Sequence, residues 1–111
     1  MEVATERIGD VAIVRTKDRF YSSAASGAEK SFATALVGGI SLLVIDMPEL
    51  DYIGSGGLRV LLRLAKRAER ANGKLALFGL QPNVSEVFSI TALDKIFSIH
   101  GGEGAAVAMV R

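Results

Sequence analysis

The chain predicts an α/β fold: a single-domain mixed sheet, mostly parallel with an N-terminal antiparallel hairpin, of about five strands and four helices. Three observations carry that expectation. Two short strand signals flank the tight turn Gly9-Asp10. The apolar run Ser41-Leu42-Leu43-Val44-Ile45, ending at Asp46, reads as a strand buried on both faces of a parallel sheet. Beyond it strand and helix patterns alternate, which places the helices as crossovers between parallel strands.

The elements follow in order. Residues 3–8 form a short, weakly patterned strand and residues 11–16 a stronger one, rich in β-branched side chains. Ser22 or Ser23 can cap a helix reaching about Leu36, in which Phe32, Ala35 and Leu36 share a face and Gly38-Gly39 ends the run. The strand at 41–46 comes next and Pro48 stops it. A helix opens after Ser55 and runs to about Ala71, with Asn72-Gly73 as its C-terminal signal. Residues 75–78 are another buried strand, and Pro82-Asn83 starts a short helix carrying Val84, Val87, Phe88 and Ile90. Residues 97–99 are a last strand, and residues 103–110 a terminal helix after Gly101-Gly102. The sheet core expected from these runs is Val14, Leu43, Val44, Ile45, Leu75 and Leu77.

At 111 residues, half of them hydrophobic, residues 1–111 read as one domain with enough apolar material for a core. The absence of cysteine excludes disulfides, thiol catalysis and cysteine-ligated metals, and fits a cytoplasmic location. The N-terminus carries acid and lacks an apolar h-region, so no signal peptide is expected. The longest mostly apolar run, 35–45, is interrupted by Gly38, Gly39 and Ser41. It falls short of the roughly 20 residues a bilayer span needs, so no membrane insertion is expected. A net charge of +1, few aromatics and no tryptophan speak against direct nucleic-acid binding.

The loop Gly54-Ser55-Gly56-Gly57 opens straight into a helix, at the carboxyl end of the central strand where such sheets place ligands. The enzyme readings fail on inventory. An NTPase phosphate loop requires a lysine after the glycines, and Arg59 follows here instead. A nucleophile elbow requires glycine two residues before its serine, where Ile53 stands. His100 is the only histidine and reads as a structural residue at a strand end, so no base for Ser55 and no transition-metal site are expected.

Two readings of Ser55 remain compatible. One is the helix N-cap, worth about 1 kcal/mol against alanine. The other is a phosphate acceptor, since glycine neighbours leave the hydroxyl uncovered and a helix N-terminus favours an anion. Along the helix Leu58, Leu61, Leu62, Ala65 and Ala68 form an apolar stripe, with Arg59, Arg63, Lys66, Arg67 and Arg70 on the other side. That basic side reads either as a solvated face or as a docking surface for an acidic partner. Ile53, Gly54, Ser55, Gly56, Arg59 and Arg63 form the expected partner-facing patch: glycines permit close backbone approach and arginines bidentate contacts.

The stretch "LLVIDMPELDYIGSGGLRVLLRLAKRAERANGKLALFGL", followed by "VSEVFSITALDKIFSI", resembles the STAS domain, and in particular the stand-alone bacterial anti-sigma factor antagonists. The matching positions are Asp46, Ser55, Gly57, Leu58 and the "LDKIF" segment from Leu93 to Phe97. The resemblance implies a cytoplasmic switch protein with no catalytic activity, no cofactor and no metal. Its partners would be an anti-sigma factor of the serine-kinase type, which phosphorylates Ser55 and is thereby released, and a serine phosphatase that resets it. Asp46, Gly57 and Leu58 would support the loop. The alternative is a non-phosphorylated scaffold or regulatory protein-interaction module of the same family.

Overall fold

The computed structural model describes residues 2–21, 27, 29, 30, 32–34 and 42–111. Strands β1 (Glu2–Ile8), β2 (Val11–Phe20), β3 (Leu42–Ile53), β4 (Lys74–Phe78) and β5 (Ser98–His100) form one sheet in sequential order. β1 and β2 are antiparallel, in register from Ile8↔Val11 to Glu2↔Lys17, and the remaining pairings are parallel. Gly9, at φ 60°, supplies the left-handed residue that opens a tight two-residue hairpin turn.

Helices α1 (Ser55–Arg70), α2 (Pro82–Ile90) and α3 (Glu103–Val110) make the later crossovers and the C-terminal cover. Residues 27, 29, 30 and 32–34 are helical and belong to the crossover between β2 and β3. The cap expected at Ser22 or Ser23, the face residues Ala35 and Leu36, the Gly38-Gly39 stop and the strand start at Ser41 lie outside the described residues.

Alternate residues of the apolar strands serve opposite faces, which is why they read as continuous runs. Ala12, Val14, Leu43, Ile45 and Leu77 join Leu58, Leu61 and Leu64 of α1 and Val84 and Phe88 of α2 in the larger core. Val11, Ile13, Val44, Ala76 and Phe78 pack on the opposite face with Ala106 and Val110 of α3. Of the core expected from sequence, Val14, Leu43, Val44, Ile45 and Leu77 are buried, and Leu75 is partly buried against the larger cluster.

Local details depart from the expectation, and β2 runs to Phe20 rather than ending at Thr16. The α1 stripe is wider than predicted: Val60 and Leu64 are buried, while Leu62 and Ala65 are half-exposed. The helix packs on two neighbours, for Val60 and Leu64 also line a small groove with Phe32 and Ala33. A 3-10 turn over Leu93–Lys95 precedes β5, entered through Ala92 at φ 61°. The largest change is that Pro48 does not end β3.

Candidate functional site

Strand β3 continues through Pro48 for five more residues because its neighbours change. Pairing with β4 stops at Asp46↔Phe78, whereas pairing with β2 continues to Phe20↔Ile53. Pro48 falls in the register shift between the Arg15↔Asp46 and Lys17↔Glu49 pairs, where no ladder bond needs its missing N–H. A second shift follows Asp18, whose φ of 74° marks the irregular backbone. Past Lys17 the ribbon has lost β1 as well, so the ends of β2 and β3 run on as a pair.

Side chains at the head of α2 cover the edge of β3 that β4 leaves open. Gln81 Nε2 donates to the Pro48 carbonyl at 2.9 Å, and Asn83 Nδ2 to the Asp51 carbonyl. Satisfying these carbonyls blunts an edge that would otherwise offer itself to another strand. The ribbon is anchored on its inner side by Phe20, Leu50 and Ile53, all in the larger core.

At the tip, the Gly54 N–H donates to the Phe20 carbonyl at 2.8 Å and the Gly54 carbonyl accepts from the Leu58 N–H at 3.0 Å. Those two bonds make extended Gly54 (φ −107°) the N-cap and Ser55 the first helical residue. The expectation that Ser55 is the cap is corrected by one position. Capture of the Gly54 amide by the end of β2 turns the chain into the helix before Ser55, so the Ser55 hydroxyl is not used as a cap. Ser55 is exposed.

Gly57 is required by proximity. A Cβ there would lie 2.7 Å from the Phe20 carbonyl oxygen and 2.9 Å from the Phe20 ring. Leu58 turns into the core beside it. Gly54 is held less tightly: a Cβ would meet Tyr52 Oη at 3.3 Å and Tyr21 Cβ at 3.4 Å.

The sequence-derived patch does not stay whole. Ser55 and Arg59 are exposed and Gly54 half-exposed, while Gly56 is buried. Ile53 is 3 % exposed and packs in the core, so its side chain leaves the partner-facing set. Arg63 is exposed but ion-paired to Glu29 at 3.1 Å.

Asp46 lies elsewhere. It follows Val44 on the α3 face of the sheet, where its carboxylate accepts from Arg15 and its backbone carbonyl accepts from the buried Thr16 hydroxyl at 2.7 Å. Arg15 also reaches Glu103 at 2.7 Å and Glu6 at 3.0 Å, tying β1, β2, β3 and α3 together. The Arg15 hydrogen bond and, secondarily, its charge hold the Glu6 carboxyl below the usual carboxylate range. The hydrogen bonds that Arg15 donates to Glu6, Glu103 and Asp46 raise the guanidinium further above its ordinary value. Asp46 therefore ties β3 to β2 through Arg15 and Thr16.

Sequence reasoning missed Arg19, Tyr21 and Tyr52. The two tyrosine rings pack edge to face at 6.2 Å beside Gly54, each residue 42 % exposed, and the Arg19 guanidinium sits 5.2 Å from the Tyr52 ring centre. The letters "RFY" and "DYI" carried the signal, but a strand ended at Pro48 leaves Tyr52 in a loop with no neighbours.

His100 ends β5, on the far side of β4 from this ribbon, with Nε2 2.8 Å from the Ser98 hydroxyl. Among the described residues no cluster of His, Asp or Glu is arranged to hold a metal ion. Among the same residues no helix is long and apolar enough to cross a membrane.

Comparison with known proteins agrees with this geometry. The STAS domain family model matches residues 2–106. BtrV of Bordetella bronchiseptica, whose name describes an anti-sigma factor antagonist, is 34 % identical over 108 residues, covering 97 % of this chain and 93 % of BtrV. A Thermotoga maritima protein described as an anti-sigma factor antagonist superposes with a TM-score of 0.92 at 24 % identity, over 98 % of this chain and 94 % of its own. The phosphorylated form of the Bacillus cell fate determinant SpoIIAA superposes with a TM-score of 0.75 at 19 % identity, over 99 % of this chain and 100 % of its own. The last two establish likeness of fold. Continuous sheet, exposed serine at the head of α1 and family match converge, and the chain belongs to the STAS domain family.

Proposed function

We propose that the protein is an anti-sigma factor antagonist, a cytoplasmic binding module without enzymatic activity, switched at Ser55. Unmodified, it seats an anti-sigma serine kinase on the surface formed by Gly54, Ser55, Arg59 and the Tyr21–Tyr52 pair. Phosphorylation of Ser55 by that kinase ends the complex, and a serine phosphatase restores it.

The observation that carries this reading is an exposed Ser55 at the first position of α1, on a loop locked by Gly54 and Gly57. The first N–H groups of a helix lack intrahelical partners and face the positive end of the dipole. A phosphate there adds roughly −1.5 to −2 charges, which the helix end accommodates in the free protein. In a closed interface the same charge must be desolvated, and that opposes binding. The name of BtrV supports the antagonist role, and SpoIIAA, known in a phosphorylated form, is one protein of this fold that carries a phosphate.

The test is phosphorylation of the purified chain by the candidate anti-sigma kinase with ATP, read by intact mass and peptide mapping. One phosphate is expected, on Ser55, and none on Ser55→Ala. A kinase that binds the chain tightly and never modifies it would favour the non-phosphorylated scaffold.

A further inference from the structure

Helix α1 carries five of the chain's 13 basic residues and one of its 12 acids, a net +4, which leaves −3 for everything else. Arg59, Arg63, Lys66, Arg67 and Arg70 are all exposed. Steps of three and four residues link them, with Lys66 and Arg67 side by side, and they form a single stripe about 17 Å long at 1.5 Å per residue. Glu29 neutralises Arg63. Among the described residues Arg59, Lys66, Arg67 and Arg70 have no ion-pair partner.

Structural need does not account for this arrangement. The helix dipole favours Arg67 and Arg70 in the last turn, but disfavours Arg59 near an N-terminus whose first turn holds no acid. Like charges at i, i+4, as in Arg59–Arg63, Arg63–Arg67 and Lys66–Arg70, lower helix stability. Such a stripe is useful where an opposite charge arrives from outside.

We infer that this stripe is the docking track for an acidic face of the protein partner that meets Ser55. The inference rests on the antagonist reading for the existence of that partner, and adds its surface chemistry. Continuity supports it: Arg59 stands one turn after Ser55 on the same helix, so a partner seated on the serine meets the head of the stripe. A protein is favoured over nucleic acid because an acidic face can be confined to α1 beside Ser55, whereas a nucleic acid carries its charge on into a remainder of net −3. A phosphate on Ser55 falls four residues before Arg59, within reach of its guanidinium. Modification thus withdraws the leading cation from the partner as well as filling the interface.

The test compares association rates of the full chain and the Ser55 kinase, by stopped flow, between about 50 and 500 mM salt. The triple variant Lys66→Glu/Arg67→Glu/Arg70→Glu should associate about tenfold more slowly at low salt and lose most of its salt dependence, with dissociation little changed. Because acids at a helix C-terminus weaken the helix, the triple glutamine variant runs beside it and should slow association about threefold with wild-type unfolding. Wild-type rates and salt dependence in both variants would overturn the inference. A second arm uses NMR titration with a glutamate-rich peptide, its glutamine counterpart and a single-stranded oligonucleotide. The glutamate peptide alone should shift amides over residues 59–70. Equal response to the oligonucleotide, or none to the glutamate peptide, would overturn it. If the kinase neither binds nor modifies the chain while the glutamate peptide still marks α1, the antagonist reading fails and the acidic track stands. If Ser55 switches binding while the stripe variants associate normally, the reverse holds.

Discussion

Gly57 is the residue at which geometry leaves least choice. Its missing Cβ makes room for a backbone carbonyl, which cannot rotate away as a side chain would, and for the ring of Phe20. Gly57→Ala should destabilise the fold by about 1–3 kcal/mol, as overpacking does, measured by urea unfolding. An alanine variant as stable as wild type would mean that the helix and the end of β2 are less closely fitted than a 2.7 Å approach implies. The importance of this glycine was legible as part of a loop pattern, but its reason was not: the contact partner lies on a strand distant in sequence. The same holds for the cap. Ser55, flanked by glycines before an apolar stripe, announces a helix start, yet only the bond from the Gly54 amide to Phe20 places the start one residue earlier.

Among the elements, β3 shows most clearly where local signals fail. Proline is a sound strand terminator when both neighbours demand its N–H. Here the β4 side is already vacant beyond Asp46, and a register shift lies on the β2 side, so the strand passes through. Composition cannot reveal which ladder bonds a given residue must supply. The Arg15 cluster is likewise assembled from four elements and has no local pattern, although each member is plainly a charged residue next to an apolar run. Its consequence is a pH dependence. Arg15 depresses the Glu6 carboxyl in the folded chain, so the unfolded chain binds more protons as acid is added. The contribution is complete above the ordinary glutamate value of about 4.3 and disappears as pH falls through the folded value. Glu6→Gln should therefore flatten the acid limb of stability against pH, measured by denaturant unfolding at successive pH values. An acid limb identical to wild type would remove Glu6 from the linkage.

At the scale of the whole molecule, the order of strands and helices, the mixed sheet and most of its core were readable, because apolar runs of β-branched residues and glycine stops report topology directly. The candidate site was readable as a serine at the mouth of a helix. Its breadth was not, since Tyr21, Tyr52 and Arg19 gather only when two strands are extended beyond the sheet. The resulting molecule has a core-anchored ribbon that leads to one unused hydroxyl at a helix end suited to an anion. The central claim is that charge at this point controls binding without disturbing the fold. Its most direct test is the affinity of wild type, Ser55→Ala and Ser55→Asp for the proposed anti-sigma kinase, with thermal unfolding measured on the same samples. Because Ser55 is not the cap, Ser55→Ala should unfold within about 0.5 kcal/mol of wild type and bind as tightly. Ser55→Asp, favoured by the helix dipole by about 0.3–1 kcal/mol, should be at least as stable and bind at least about tenfold more weakly. An aspartate variant that folds normally and binds with wild-type affinity would contradict the claim.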